Sequence, residues 1–225
     1  MKKIIDKIKT EFKNARRKLG PGYFRLKRYF QYIEELPVEP NVILVESKMG
    51  KELEWNLIEI LRELCKNPRY KDYKIRVAVE PDVREKRTEF LKKHGMKKVR
   101  VIRHEGEEYY KVLATAGILI NDSEFPGVFI KRPEQVYMKL WDATPIRATG
   151  KNKKKGFGMI GNQQKNFLSA DYVFFSNEFA MHQVEQDYML ENVAGAKVLI
   201  GGYPRNEVFF DEAKRKKIRE KYGME

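Results

Sequence analysis

Three polar segments in this sequence begin where an apolar run has just ended. Each carries side chains able to bind or activate a charged ligand. Glu46-Ser-Lys-Met-Gly-Lys51 follows Val42–Val45, Asn121-Asp-Ser-Glu-Phe-Pro126 follows Gly117–Ile120, and Trp141-Asp-Ala-Thr-Pro-Ile-Arg147 follows Val136–Leu140. Glu46 and Asp142 are carboxylates that could hold or take a proton. Ser47, Asn121 and Thr144 offer neutral hydrogen bonds, and Arg147 offers a planar fork that fits a phosphodiester. Gly50 allows a tight turn and Pro145 fixes one. A polar loop at a strand exit also serves purely structural ends, so the case rests on what brings the three segments together.

The elements between them answer that. Val42–Glu46, Ile75–Val79, Val99–Ile102, Gly117–Ile120, Val136–Trp141, Tyr172–Ser176 and Lys197–Ile200 are short apolar runs, as buried strands require. Helical patterns fill the gaps: Leu53 to Leu64, Asp82 to His94, Tyr109 to Ala116, Gln163 to Leu168, Glu178 to Leu190 and Asp211 to Tyr222. Strands alternating with helices of about three turns predict an α/β, Rossmann-like parallel sheet covered on both sides. In such a sheet ligands sit beyond the carboxyl ends of the strands, where all three polar segments emerge. The chain divides into a basic helical arm (1–38), the sheet domain (39–210) and a charged C-terminal helix (211–225).

Composition bounds the rest. The 225 residues carry 46 Lys+Arg against 32 Asp+Glu, and residues 1–30 alone hold 11 basic and 2 acidic side chains. In that arm Ile4, Ile5, Ile8, Phe12, Ala15 and Leu19 recur at helical spacing among lysines and arginines. A second helix sets Tyr23, Leu26, Phe30 and Ile33 against Arg25, Lys27 and Arg28. Three readings stay open: the arm lies on an anionic membrane, docks on the following domain, or binds nucleic acid. The membrane reading would use Lys2, Lys3, Ile4, Ile8, Phe12, Arg16, Arg17 and Lys18. No nucleic-acid partner is expected, because no reader motif accompanies the charge. No apolar run is long enough to cross a bilayer, and the single Cys65 suggests a reducing compartment.

Other signals are weaker. Gly156-Phe-Gly-Met-Ile-Gly161 matches a dinucleotide fingerprint, but Lys151–Lys155 precede it where a buried strand is required, so it reads as a flexible loop. His94, His104 and His182 lack metal-ligand spacing, and no metal site is expected. Trp141 reads as core packing at a strand end in preference to substrate stacking, and Glu46 as a cleft-floor residue or the partner of a lysine.

The run from Leu113-Ala-Thr-Ala116 to Arg147, LATAGILINDSEFPGVFIKRPEQVYMKLWDATPIR, resembles the CDP-glycerol glycerophosphotransferase family, the teichoic-acid and capsule polymerases of bacterial cell walls. The likeness extends to Leu44-Val-Glu-Ser47 with Gly50-Lys51, and to Asn166-Phe-Leu-Ser-Ala170, Ser176-Asn177 and Gly202-Tyr-Pro-Arg-Asn206.

This resemblance implies the N-terminal half of a GT-B fold: an acceptor domain whose donor domain, absent here, comes from the same or a partner chain. It implies a membrane-associated transferase, cytoplasmic and peripheral on the inner face of the cell membrane, extending a lipid-linked alditol-phosphate acceptor. CDP-glycerol or CDP-ribitol would sit in the missing domain, and no cofactor in this one. Glu46, Ser47, Gly50, Asn121, Thr144, Pro145 and Arg147 would be substrate-binding. Asp142 stands at the family's catalytic histidine. A carboxylate with pKa about 3.9 is a poor base at neutral pH unless burial or another carboxylate raises it. A degenerate member that binds anionic polymer or membrane is therefore the rival reading, and a basic nucleic-acid-binding protein the remaining one.

Overall fold

The computed structural model describes residues 26–53, 56–141, 143–155 and 157–224. The membrane-contact residues Lys2 to Lys18 and the catalytic candidate Asp142 lie outside them. Seven parallel strands form one sheet: β1 (Glu39–Glu46), β2 (Lys74–Val79), β3 (Val99–Arg103), β4 (Ala116–Asn121), β5 (Val136–Leu140), β6 (Tyr172–Phe175) and β7 (Lys197–Ile200). Their spatial order is β3-β2-β1-β4-β5-β6-β7, so the chain reverses direction of travel across the sheet between β1 and β4. That is the Rossmann-like arrangement expected from the alternating pattern.

Strand periodicity explains the two cores. Val42 and Leu44 of β1 point to one face and Ile43 and Val45 to the other, and all four are buried. Against the second face pack α2 (Asn56–Lys66), through Leu57, Leu61 and Leu64, and α3 (Arg84–Lys93), through Leu91. Against the first pack α1 (residues 26–35), α4 (Glu107–Thr115), α5 (Ile160–Ser169) and α6 (Glu178–Asp187). The last helix, α7 (Glu212–Tyr222), is N-capped by Asp211 and ends at the left-handed Gly223.

Several sequence expectations shift here. α1 docks on the sheet domain, but its buried face is centred on Tyr29, with Leu26, Tyr32 and Ile33 packed beside it, while Phe30 is 39% exposed. The Tyr29 hydroxyl accepts from the Ile130 amide at 3.0 Å, and Arg132 donates to the Leu36 carbonyl at 2.7 Å, so the arm's end is tied to the β4–β5 connection. Burial pushes the Tyr29 phenol up to about 12. The glycine run is not a flexible loop over its described part: residues 157–159 form a 3-10 turn and Gly161 already lies in α5. Among the described residues no helix is long and apolar enough to cross a membrane.

Candidate functional site

The turn leaving β1 is built on backbone few residues accept. Lys48, Met49 and Gly50 take φ of 44°, 55° and 78°, three left-handed residues in succession. Asp122, at the exit of β4, fixes them: one oxygen accepts from Ser47 Oγ at 2.7 Å and the other from the Lys48 amide at 2.8 Å. Ser123 Oγ accepts from the Met49 amide at 3.1 Å. Gly50 closes the turn against the neighbouring strand exits, its carbonyl accepting from the Glu80 amide at 2.8 Å. A Cβ there would stand 2.7 Å from His104 Cβ. The glycine is thus required by both torsion and space.

Below the turn lies a buried polar layer. Glu46, Ser47 and Asn121 have no exposed surface, and Gly50 is buried. Glu46, Ser47 and Asn121 were expected to line a cleft floor, and in this conformation no surface of theirs is open to a ligand. Glu46 faces His104 Nε2 at 3.7 Å, so its neighbour is a histidine where a lysine was expected. The Tyr137 hydroxyl sits 2.9 Å from Asn121 Oδ1 and 3.0 Å from Asn166 Oδ1. Burial holds that phenol well above its ordinary pKa of 10, so it stays protonated and can donate. Lys139, fully buried, donates to the Ser123 carbonyl and lies over the Phe167 ring.

The loop leaving β5 is different in kind. Trp141 packs by its ring against Phe167 and Tyr188, as its core reading predicted. Thr144 and Arg147 are exposed, Pro145 is half-buried, and Ile146 is 90% exposed. Thr144 Oγ1 accepts from Asn177 Nδ2 at 3.1 Å. Asn177 is also the N-cap of α6, accepting from the Ala180 amide at 2.8 Å. The loop therefore stands beside a helix N-terminus, where backbone N–H groups and the helix dipole favour anions.

Further on, the loop is gripped again. Thr149 and Asn152 both donate to the buried Asp187 carboxylate at the end of α6. Lys151 to Lys155 are exposed. Lys153 is close enough to Glu124 to influence it: burial raises the Glu124 pKa, while Asn162, Lys139 and Lys153 pull it back part of the way. The β4 and β5 exits thus face each other, with Lys139 and Lys153 on one side and a carboxyl whose pKa burial raises on the other.

The profile of the CDP-Glycerol:Poly(glycerophosphate) glycerophosphotransferase family matches residues 28–225. The chain belongs to this family. Its fold is that of the wall teichoic acid polymerase TagF, at a TM-score of 0.71 and 18% identity over 97% of this chain and 52% of that one. A histidine-to-alanine variant of TagF gives 0.72, 18%, 95% and 51%. A histidine-to-asparagine variant soaked with CDPG gives 0.70, 19%, 96% and 52%. This glycerophosphotransferase-family chain spans about half the length of the structures it matches. A comparison with curated proteins finds no match.

Sequence reasoning brought the three loops to one end of the sheet correctly and missed what holds them. Asp122, His104, Tyr137, Lys139, Asn166 and Asp187 were given no role. A signal was present for Lys139, a charge in the middle of the apolar run Val136–Trp141, which can be buried only if its ammonium finds acceptors. Asp122 had none beyond its neighbour Asn121, since its partners lie some 75 residues away in sequence.

Proposed function

We propose that this chain is the acceptor-binding half of a CDP-alditol-dependent glycerophosphotransferase that extends a teichoic-acid-like polymer. The observation that carries the reading is the exposed pair Thr144 and Arg147 on the β5 loop, beside the N-terminus of α6 and followed by five residues that include four lysines. A glycerol- or ribitol-phosphate chain carries one negative charge per unit, and such a surface suits it on charge alone. The acceptor's terminal hydroxyl attacks a phosphorus of the CDP-alditol, an alditol phosphate is transferred and CMP leaves. The chain's part in this is positioning and charge neutralisation. The donor would occupy a second domain, supplied by the remainder of a longer chain or by a partner. The chain's match to about half of TagF supports that arrangement.

Asp142 would have to act as the base, and a carboxylate with an ordinary pKa of about 3.9 is a poor base at neutral pH. A binding-only member of the family is thus the second reading. Titrating the chain with a glycerol-phosphate oligomer tests the acceptor binding that both readings require. Wild type should bind with a marked salt dependence, and Arg147→Ala should bind about tenfold more weakly. Equal binding by both proteins would remove the β5 loop from the acceptor site. Adding a donor domain and CDP-glycerol then distinguishes a transferase from a binder, through release of CMP by Asp142 and Asp142→His forms.

A further inference from the structure

Glu46 lies under the point where the sheet reverses, fully buried, and neither carboxylate oxygen has a hydrogen-bond partner among the described residues. A carboxylate in that position needs a cation or a donor beside it, and the Tyr109 hydroxyl and the His104 ring are the groups close enough to act on it. His104, 7% exposed, stands with Nε2 at 3.7 Å from Glu46 Oε1 and Nδ1 at 3.1 Å from Glu80 Oε1. An imidazole flanked by a carboxylate on each nitrogen can donate to both only when doubly protonated. The other groups facing the ring are Glu105, the next residue, and Tyr109 of α4, edge-on at 5.0 Å. Nowhere among the described residues do His, Cys, Asp or Glu side chains converge to hold a metal ion.

The same ring carries the left-handed turn. The space a Cβ on Gly50 would need is taken by His104 Cβ and Cγ, and the Gly50 carbonyl is bonded to the backbone of Glu80, the residue whose side chain holds Nδ1. The His104 amide in turn donates to the Val79 carbonyl at 2.7 Å. Glu46, Glu80, His104 and Gly50 therefore form one mechanical unit joining the exits of β1, β2 and β3.

We propose that His104 is a pH-sensitive latch: as an imidazolium it ties Glu46 to Glu80 and holds the Ser47–Lys51 turn closed, and on losing its proton it releases that turn. The inference holds whatever ligand the β5 loop takes. Burial, the largest influence on the ring, works against its charge. The nearby Glu46 carboxylate, the hydrogen bond to Glu80 and the charge of Glu105 together outweigh it, and the pKa lies above the ordinary 6.5. The sign follows: the tie is complete below about pH 6.5 and is lost as pH rises through the raised folded-state value. His104 is a positioning residue, acting on the site through the turn.

Histidine ring resonances and amide exchange at residues 48–51, followed together from pH 5 to 9 in the whole chain, test this. His104 should titrate with a midpoint above 6.5. Exchange in the turn, corrected for its intrinsic pH dependence, should quicken about fivefold or more at the same midpoint. Glu80→Gln, at a partly exposed position, should lower both midpoints together, and His104→Gln should abolish the inflection. A midpoint at or below 6.5, turn exchange without an inflection there, or a midpoint unmoved by Glu80→Gln would each overturn the proposal. The wild-type titration decides the matter even if the His104 variant fails to fold.

Discussion

The turn after β1 and the loop after β5 leave the same end of one sheet, separated only by β4, and they are opposites. The first is held by Asp122, Ser123, the Glu80 amide and the His104 ring, in a conformation that needs all of them. The second, among the described residues 143–148, has the Thr144–Asn177 hydrogen bond as its side-chain anchor and presents Ile146 and Arg147 to water. Strained backbone persists only where its surroundings over-determine it. A ligand-facing arginine needs reach more than it needs restraint. The molecule thus separates a rigid floor from an adaptable rim, and substitutions in the two should fail in different ways.

The sharpest break of that contrast is Asp122→Ala. It deletes the acceptor of both Ser47 Oγ and the Lys48 amide and leaves a buried donor unmatched under a strained turn. A loss of about 3 kcal/mol is expected, read as a shift of the urea midpoint with unchanged slope. Retained stability would mean that the turn is held by its own sequence and not by β4.

Gly50→Ala should come next, at about 2 kcal/mol. The added methyl meets His104 at 2.7 Å, and the φ of 78° disfavours any side chain. Gly158→Ala, whose Cβ would meet nothing within 4 Å, serves as the matched control and should cost far less in the same melts. If the two variants melt alike, the floor is softer than its geometry implies.

These two positions also show where the sequence stops being legible. The strands could be read because a parallel sheet buried on both faces demands unbroken apolar runs, and Val42–Val45 has no other good use. Loop placement followed from the strands alone. Gly50 was readable as a turn glycine, but not as one pressed on His104, because that contact joins residues 54 apart in sequence. Composition likewise marked α1 as amphipathic yet put Phe30 on its buried face, where the structure puts Tyr29. A helix of this length tolerates a rotation of its stripe until a specific acceptor, here the Ile130 backbone, selects one. Periodicity carries short-range constraints, whereas buried polar pairs are made across the sheet and leave no local mark.

At the rim the expectation reverses. Arg147→Ala should leave stability within about 0.5 kcal/mol, since the side chain is exposed and touches no described partner. Glycerol-phosphate oligomer binding should fall about tenfold, near 1.4 kcal/mol. A stability loss with unchanged binding would make Arg147 part of the floor and erase the difference between floor and rim.

The smallest effect lies where floor and rim meet. Glu124 is buried between Asn162, which donates to it at 2.9 Å, and the ammonium groups of Lys139 and Lys153. Burial wins over those partners, so its pKa is raised from the usual 4.5. A carboxyl held above its unfolded pKa stabilises the fold only while protonated. Between 4.5 and the raised folded-state value the unfolded chain binds fewer protons than the native one, and stability falls as pH rises. Glu124→Gln keeps the acceptor for Asn162 and cannot ionise. Relative to wild type it should therefore be stabilising by about 0.5–1 kcal/mol at pH 7.5, with the gain fading below pH 4.5. Urea titrations of both proteins at the two pH values read this difference directly. A variant less stable than wild type at pH 7.5 would show that the lysines of the rim, and not the burial of the floor, dominate at this carboxyl. The boundary between the two regions would then lie one residue closer to β4.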